Sequence, residues 1–108
     1  MSAEDFLSKY KKGDFVVIDH FIAIFDRLEQ TAGYNIHVIY FHAIYSLPTS
    51  CLSANTVGAY TGIGNIEGYD YDQVRPATNK EKKILLDEMN VRRRLRWNER
   101  TMCVESEL

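Results

Sequence analysis

Apolar positions change spacing along this chain, and the change separates strands from helix. Asp14 to Asp19 (Asp-Phe-Val-Val-Ile-Asp) is a β-branched run bounded by turn formers and predicts a first strand. His20 to Glu29 contains Phe21-Ile22-Ala23-Ile24-Phe25 and predicts a second. Gln30-Thr31-Ala32-Gly33 then predicts a hairpin turn, with Gly33 free to take positive φ. Tyr34 to Tyr45 gives the strongest strand signal: Ile36, Val38 and Tyr40 alternate with Ile39, Phe41 and Ala43. Apolar residues on both faces place it centrally in a sheet, covered on both sides for part of its length.

Leu47 to Asn55 reads as a loop, Thr56 to Gly62 as a short strand, Gly62 to Gly68 as a loop, and Tyr69 to Val74 as another short strand. Helical spacing follows. Thr78-Asn79-Lys80-Glu81 is a capping box, so a helix runs from about residue 79 to residue 89 and ends near Asn90. Its buried stripe is Leu85 and Met89, flanked by Ile84 and Leu86. Arg94 to Trp97 alternates as a strand, Asn98 to Arg100 turns, Met102 to Val104 returns, and 105–108 is a frayed tail. At the other end, residues 1–12 form a short helix or a flexible arm; Ser2 would cap the helix, Phe6 and Tyr10 share a face, and Gly13 would end it. The sum is a single domain, 1–108, mainly β (α+β). It is a small antiparallel, SH3-like barrel or strongly curled sheet with one C-terminal helix followed by a short strand or hairpin. A plain α+β sheet with one packed helix is the alternative.

At 108 residues and 45% hydrophobic composition, the chain can build a core without metal or disulfide staples. The seven tyrosines favour pleated surfaces. No export signal or run of ~20 apolar residues is visible, so no membrane association is expected. Cys51 and Cys103 lie far apart, which suits reduced thiols in a cytoplasmic protein. The formal net charge is −2, yet residues 75–100 hold nine bases and four acids, leaving the remainder at −7. Such asymmetry marks a surface for an anionic partner, or two halves that pack on one another.

Lys12-Gly13-Asp14 entering a strand, Ile24-Phe25, Arg75-Pro76-Ala77-Thr78, Glu81-Lys82, Leu85-Leu86 and Arg96-Trp97-Asn98 form a further pattern from about residue 11 to residue 104. It resembles a group of small proteins of phages and mobile elements of gut bacteria, for which no activity is established. The resemblance implies a compact bacterial or phage domain and supplies no catalytic residues. Arg92-Arg93-Arg94 departs from it, standing where those proteins have a Gly-containing turn.

Candidate chemistry is sparse. Gly62-Ile63-Gly64-Asn65-Ile66-Glu67-Gly68 is one residue too long for a dinucleotide loop and opens no helix, so it reads as a turn or bulge. His37 and His42, five apart on one strand, face opposite sides and cannot share a metal unless the strand is broken; His20 stands apart. Asp70 and Asp72 share a strand face but lack the other ligands of a calcium loop, and no Gly-x-Ser-x-Gly elbow is present. Cys51 has no basic neighbour in sequence to activate it. No metal, cofactor or catalytic residue is assigned. In a strand, Arg92, Arg94 and Arg96 would project from one face as a phosphate-tracking stripe, extended by Lys80 and Lys83 on the helix, with Leu95 and Trp97 turned to the core. The alternative is that these arginines pair with the acids of the N-terminal two-thirds or simply solvate the surface.

These observations favour a non-enzymatic protein-interaction domain of a phage or mobile element. Its partner is another protein, bound through Tyr-rich strands or an open sheet edge, and the same edge would permit a homodimer. The alternative is a nucleic-acid-binding module using the Arg92–Arg96 stripe. The second alternative is a small hydrolase or transferase whose Asp and His side chains are assembled by folding.

Overall fold

The structure, a computed structural model, describes residues 3–30, 37–47, 59–66 and 70–106. The chain opens with α1 (Ala3–Lys9), then β1 (Phe15–Ile18), β2 (Phe21–Gln30) and β3 (His37–Ser46). Two three-residue strands follow, β4 (Ala59–Thr61) and β5 (Gly64–Ile66). A 3₁₀ turn at Tyr71–Gln73 leads into β6 (Val74–Pro76), and α2 (Asn79–Asp87) continues into a π turn, Glu88–Arg92. β7 (Leu95–Asn98) and β8 (Cys103–Ser106) form a separate hairpin.

Six strands make one antiparallel sheet in the order β4-β3-β2-β1-β6, with β5 also paired to β3. Among the described residues the sheet is not closed into a barrel. The architecture is therefore mainly antiparallel β with helices packed on it.

Alternation along β1 and β2 divides the core between the two faces. Val16, Ile18, Ala23, Phe25, Ile39 and Phe41 meet Phe6 and Tyr10 from the α1 segment. Val17, Ile22, Ile24, Ala43 and Tyr45 meet Leu85, Met89 and Trp97 from α2, the π turn and the hairpin. The helix stripe expected from spacing is thus the stripe that packs. The capping box is also formed: Glu81 N–H donates to Thr78 Oγ1 at 3.2 Å, and Thr78 N–H donates to Glu81 Oε1 at 3.0 Å.

Several boundaries differ from expectation, each for a physical reason. β5 lies within the expected 62–68 loop, because Ile66 is buried against Ile39 in the core cluster. Residues 71–73 are a 3₁₀ turn rather than strand, closed by Asp70 N–H donating to Gln73 Oε1 at 2.7 Å. Helical structure passes Asn90 as the π turn, in which Glu88 and Met89 are buried. Glu105, expected in a frayed tail, belongs to β8 and accepts from Arg96 and Asn98. The expected Ser2 cap, the turn at Thr31–Gly33, the loop at 48–55 and Cys51 fall outside the described residues.

The largest departure is inside the central hairpin. Ile24 pairs with Ala43, but Phe25 pairs with Phe41, so His42 is an extra residue in β3. Phe25 pairs with Phe41 and Arg27 with Tyr40, so Asp26 is an extra residue in β2. These two bulges cancel in register and invert the faces between them. Ala43 consequently joins the α2 face, opposite Ile39 and Phe41, instead of sharing theirs.

Candidate functional site

The residues of the expected basic stripe do not share a strand. Arg92 lies in the π turn, Arg94 has φ of 51° outside any strand, and Arg96 alone of the three is on β7. Lys80 and Lys83 are exposed on α2. Arg75, Arg92, Arg93 and Arg96 also face carboxylates, Arg92 and Arg93 sharing one. Arg92 Nε and Arg93 Nε lie 3.5 and 3.9 Å from the two oxygens of buried Glu88. Arg96 Nη2 reaches Glu105 at 3.1 Å, and Arg75 grips Glu81 through both nitrogens at 2.7 and 2.6 Å. Arg75 and the cap at Thr78 hold the Glu81 carboxyl down at about 2. These acids come from the same C-terminal region as the arginines, not from the acidic first two-thirds. Arg94 occupies the left-handed region, a conformation costing a non-glycine residue ~1 kcal/mol or more.

The Asp and His candidates whose side chains are described lie on separate elements: His20 between β1 and β2, His42 on β3, and Asp70 and Asp72 at the 3₁₀ turn. His20 Nδ1 lies 3.0 Å from its neighbour Asp19 on an exposed turn. Asp70 and Asp72 are exposed at the 3₁₀ turn. Trp97 is buried, with its ring centroid 5.0 Å from that of His42. Among the described residues, no group of three His, Cys, Asp or Glu could hold a metal ion, and Cys103 is an exposed thiol.

Two constellations emerge that spacing did not reveal. The first is the bulge pair. Asp26 and His42, the two extra residues, approach each other: His42 Nε2 lies 3.4 Å from Asp26 Oδ1 without hydrogen-bond alignment. Arg27 Nη1 donates to Asp26 Oδ2 at 2.6 Å, and Lys12 Nζ stands 3.6 Å from Asp26 Oδ1. The carboxylate and imidazole are about nine-tenths buried, whereas both cations are half exposed. Burial lowers the His42 pKa; Asp26 opposes this, while Lys12 and Arg27 reinforce it. His42 is therefore a neutral imidazole at pH 7. The sequence did carry one signal, because Asp26-Arg27 interrupts the apolar alternation of β2.

The sign of the linkage follows. A histidine whose pKa is depressed by folding binds its proton more readily when unfolded, so its contribution is present above the ordinary value near ~6.5 and lost as pH falls below it. Unfolding free energy should decline between pH 7.5 and pH 5.5, and a His42→Gln variant should lose most of that slope. Urea titrations across this range test it; equal slopes in the two proteins would remove His42 as the source.

The second constellation is a groove of about 340 Å³ where the end of α1, the start of β1, the end of β6 and the start of α2 meet. Its apolar lining is Tyr10, Phe15, Pro76 and Ala77, and its polar rim is Lys9, Asp14, Asn79 and Lys82. Lys82 Nζ sits 4.8 Å above the Phe15 ring, and Lys9 Nζ 5.4 Å from the Tyr10 ring. Each ammonium group thus lies within cation–π reach of an aromatic face. Asp14 Oδ2 is already engaged, accepting from Lys11 N–H at 2.9 Å. The groove wall at residues 11–14 is fixed to the sheet. Gly13 N–H donates to Phe25 O, and Phe25 N–H to Asp14 O, both at 2.8 Å. The groove and the bulge pair therefore sit on two sides of one turn.

The sheet edge beside this groove is closed to strand addition. Val74 N–H donates to Tyr71 O, Val74 O accepts from the buried Tyr10 hydroxyl at 3.0 Å, and Pro76 has no N–H to offer. No helix among the described residues is long and apolar enough to cross a membrane. Comparison of the chain with protein-family models, with curated proteins and with solved structures finds no match.

Proposed function

We propose that this chain is a non-enzymatic domain that binds a segment of another protein. The observation that carries this reading is the groove between α1 and α2. It is concave, has an aromatic and proline floor, and is rimmed by cations that are not consumed internally. Its volume lies at the low end of ligand-binding pockets, ~300–1,000 Å³, which suits one or two anchoring side chains. The alternative chemistries have weaker support. The buried Asp26–His42 pair does not line the groove, and the groove contains no Ser, Cys or His to act as nucleophile. A nucleic-acid surface would need Arg92 and Arg96, whose charges meet Glu88 and Glu105. The reading rests on this groove and not on analogy with SH3-like barrels. An adaptor of a phage or mobile element is the setting that the sequence resemblance suggests for it.

The test is selection from a random peptide display library, with Asn79→Trp as the counter-screen. Asn79 is exposed and lines the groove, so an indole there fills the site without entering the core. Enriched peptides should lose at least tenfold in affinity for the filled variant. Enrichment that is indifferent to Asn79→Trp, or none at all, would sink the proposal.

A further inference from the structure

We infer that the groove selects a short acidic segment of its partner, with one apolar or aromatic side chain seated on Phe15 and Pro76 and a carboxylate held between Lys9 and Lys82. This inference rests on the partner-binding reading and adds the chemistry of the partner.

The charges around the groove carry it. Among the described residues neither Lys9 nor Lys82 is paired with a carboxylate, in contrast to Arg75, Arg92, Arg93 and Arg96. The one acid on the rim, Asp14, already accepts from a backbone N–H. The groove therefore presents two ammonium groups not paired with a carboxylate beside the apolar surfaces of Phe15 and Pro76. Their ammonium groups already lie over aromatic rings, so less side-chain freedom is lost when an anion arrives.

Size and net charge decide which anion. A nucleic-acid strand needs a continuous basic track, whereas here two cations flank a small groove on a chain of net charge −2. The protein's overall charge repels a long polyanion, while the local pair attracts an isolated carboxylate beside an apolar anchor. A strand-adding peptide is disfavoured on this side by the closed β6 edge. What remains is recognition by side chains: an aromatic or aliphatic anchor with an acidic neighbour.

The experiment is fluorescence anisotropy with three labelled probes on the full chain. They are an eight-residue peptide alternating Tyr and Glu, its Tyr–Lys counterpart, and a mixed-sequence single-stranded DNA octamer, each at ~50 and ~200 mM salt. The Tyr–Glu peptide should bind at least tenfold more tightly than either other probe and weaken with salt. Lys9→Gln/Lys82→Gln should abolish that preference with an unchanged circular dichroism spectrum. Lys9→Glu/Lys82→Glu should transfer it to the Tyr–Lys peptide. Equal binding of the two peptides, tighter binding of DNA, or a preference that survives both double variants would overturn the inference. The display selection separates the two levels: groove-dependent binders without acidic enrichment retire the acidic partner alone, whereas the absence of groove-dependent binders retires partner binding at this groove.

Discussion

Replacing Phe6 with alanine should lower the unfolding free energy by ~3–5 kcal/mol, the range for removing a fully buried phenylalanine. Phe6 is 0% exposed, and its ring centroid lies 4.8 Å from Tyr10, 5.3 Å from Phe25 and 5.1 Å from Tyr71. It is the one buried side chain of a seven-residue helix. A helix that short cannot persist through propensity alone, so its docking depends on this ring. The effect should therefore reach the groove. Lys9 and Tyr10 lie directly after the same turn, and both line it. Urea denaturation should show the stability loss, and hydrogen exchange should show α1 amides losing protection before those of β2. Groove-dependent peptides should lose affinity in proportion. Leu7→Ala is the matched control, because Leu7 is 50% exposed and its truncation should cost within ~0.5 kcal/mol. If Phe6→Ala does not fold, Phe6→Leu should still show a smaller loss. A Phe6→Ala protein with near-normal stability would mean that α1 does not cover this face in solution.

Where local rules act on a few neighbouring residues, the sequence was readable. Thr78 and Glu81 sit three apart and form the cap they spell, and Leu85 and Met89 pack as their spacing requires. The first three strands fall within a few residues of their predicted limits. The bulges were a different matter. Strict alternation put Ala43 with Phe41, and nothing local says that His42 and Asp26 each add a residue to their strands. A bulge is a property of two strands in register, so it is written in the pairing and not in either run alone. Likewise the arginines of 92–96 make a stripe only if the strand starts before Arg92, and alternation alone does not fix that start. The π turn and the left-handed Arg94 instead send them different ways, and Glu88 and Glu105 meet Arg92 and Arg96 through folding. The groove was illegible for the same reason. Lys9, Phe15, Pro76 and Lys82 come from four elements, and no spacing rule connects them.

Gly13→Ala should be the second severe substitution, costing ~1–3 kcal/mol, chiefly from backbone strain with a smaller share from displaced packing. Gly13 has φ of +95°, a conformation that side-chain-bearing residues rarely adopt. A Cβ there would lie 2.7 Å from Met102 Sδ and 3.3 Å from Met102 Cε, with Trp97 Cζ2 at 3.6 Å. Both Met102 atoms are the far end of a flexible side chain that can swing aside, so the positive φ dominates the cost. The damage should propagate along a traceable path. Gly13 N–H is bonded to Phe25 O beside the Asp26 bulge, and the Trp97 ring packs at a tilt against that of His42. Shifting the turn moves Lys12 relative to Asp26 and moves the groove wall at Asp14 as well. A double-mutant cycle separates the two costs. In a Met102→Ala background, the collision disappears while the positive φ remains, so the penalty of Gly13→Ala should shrink to ~1–2 kcal/mol and not vanish. A penalty unchanged by Met102→Ala would place the whole cost in the backbone. A penalty below ~0.5 kcal/mol in the parent would show that the turn does not hold this conformation, and it would detach the hairpin from the groove wall that the binding site requires.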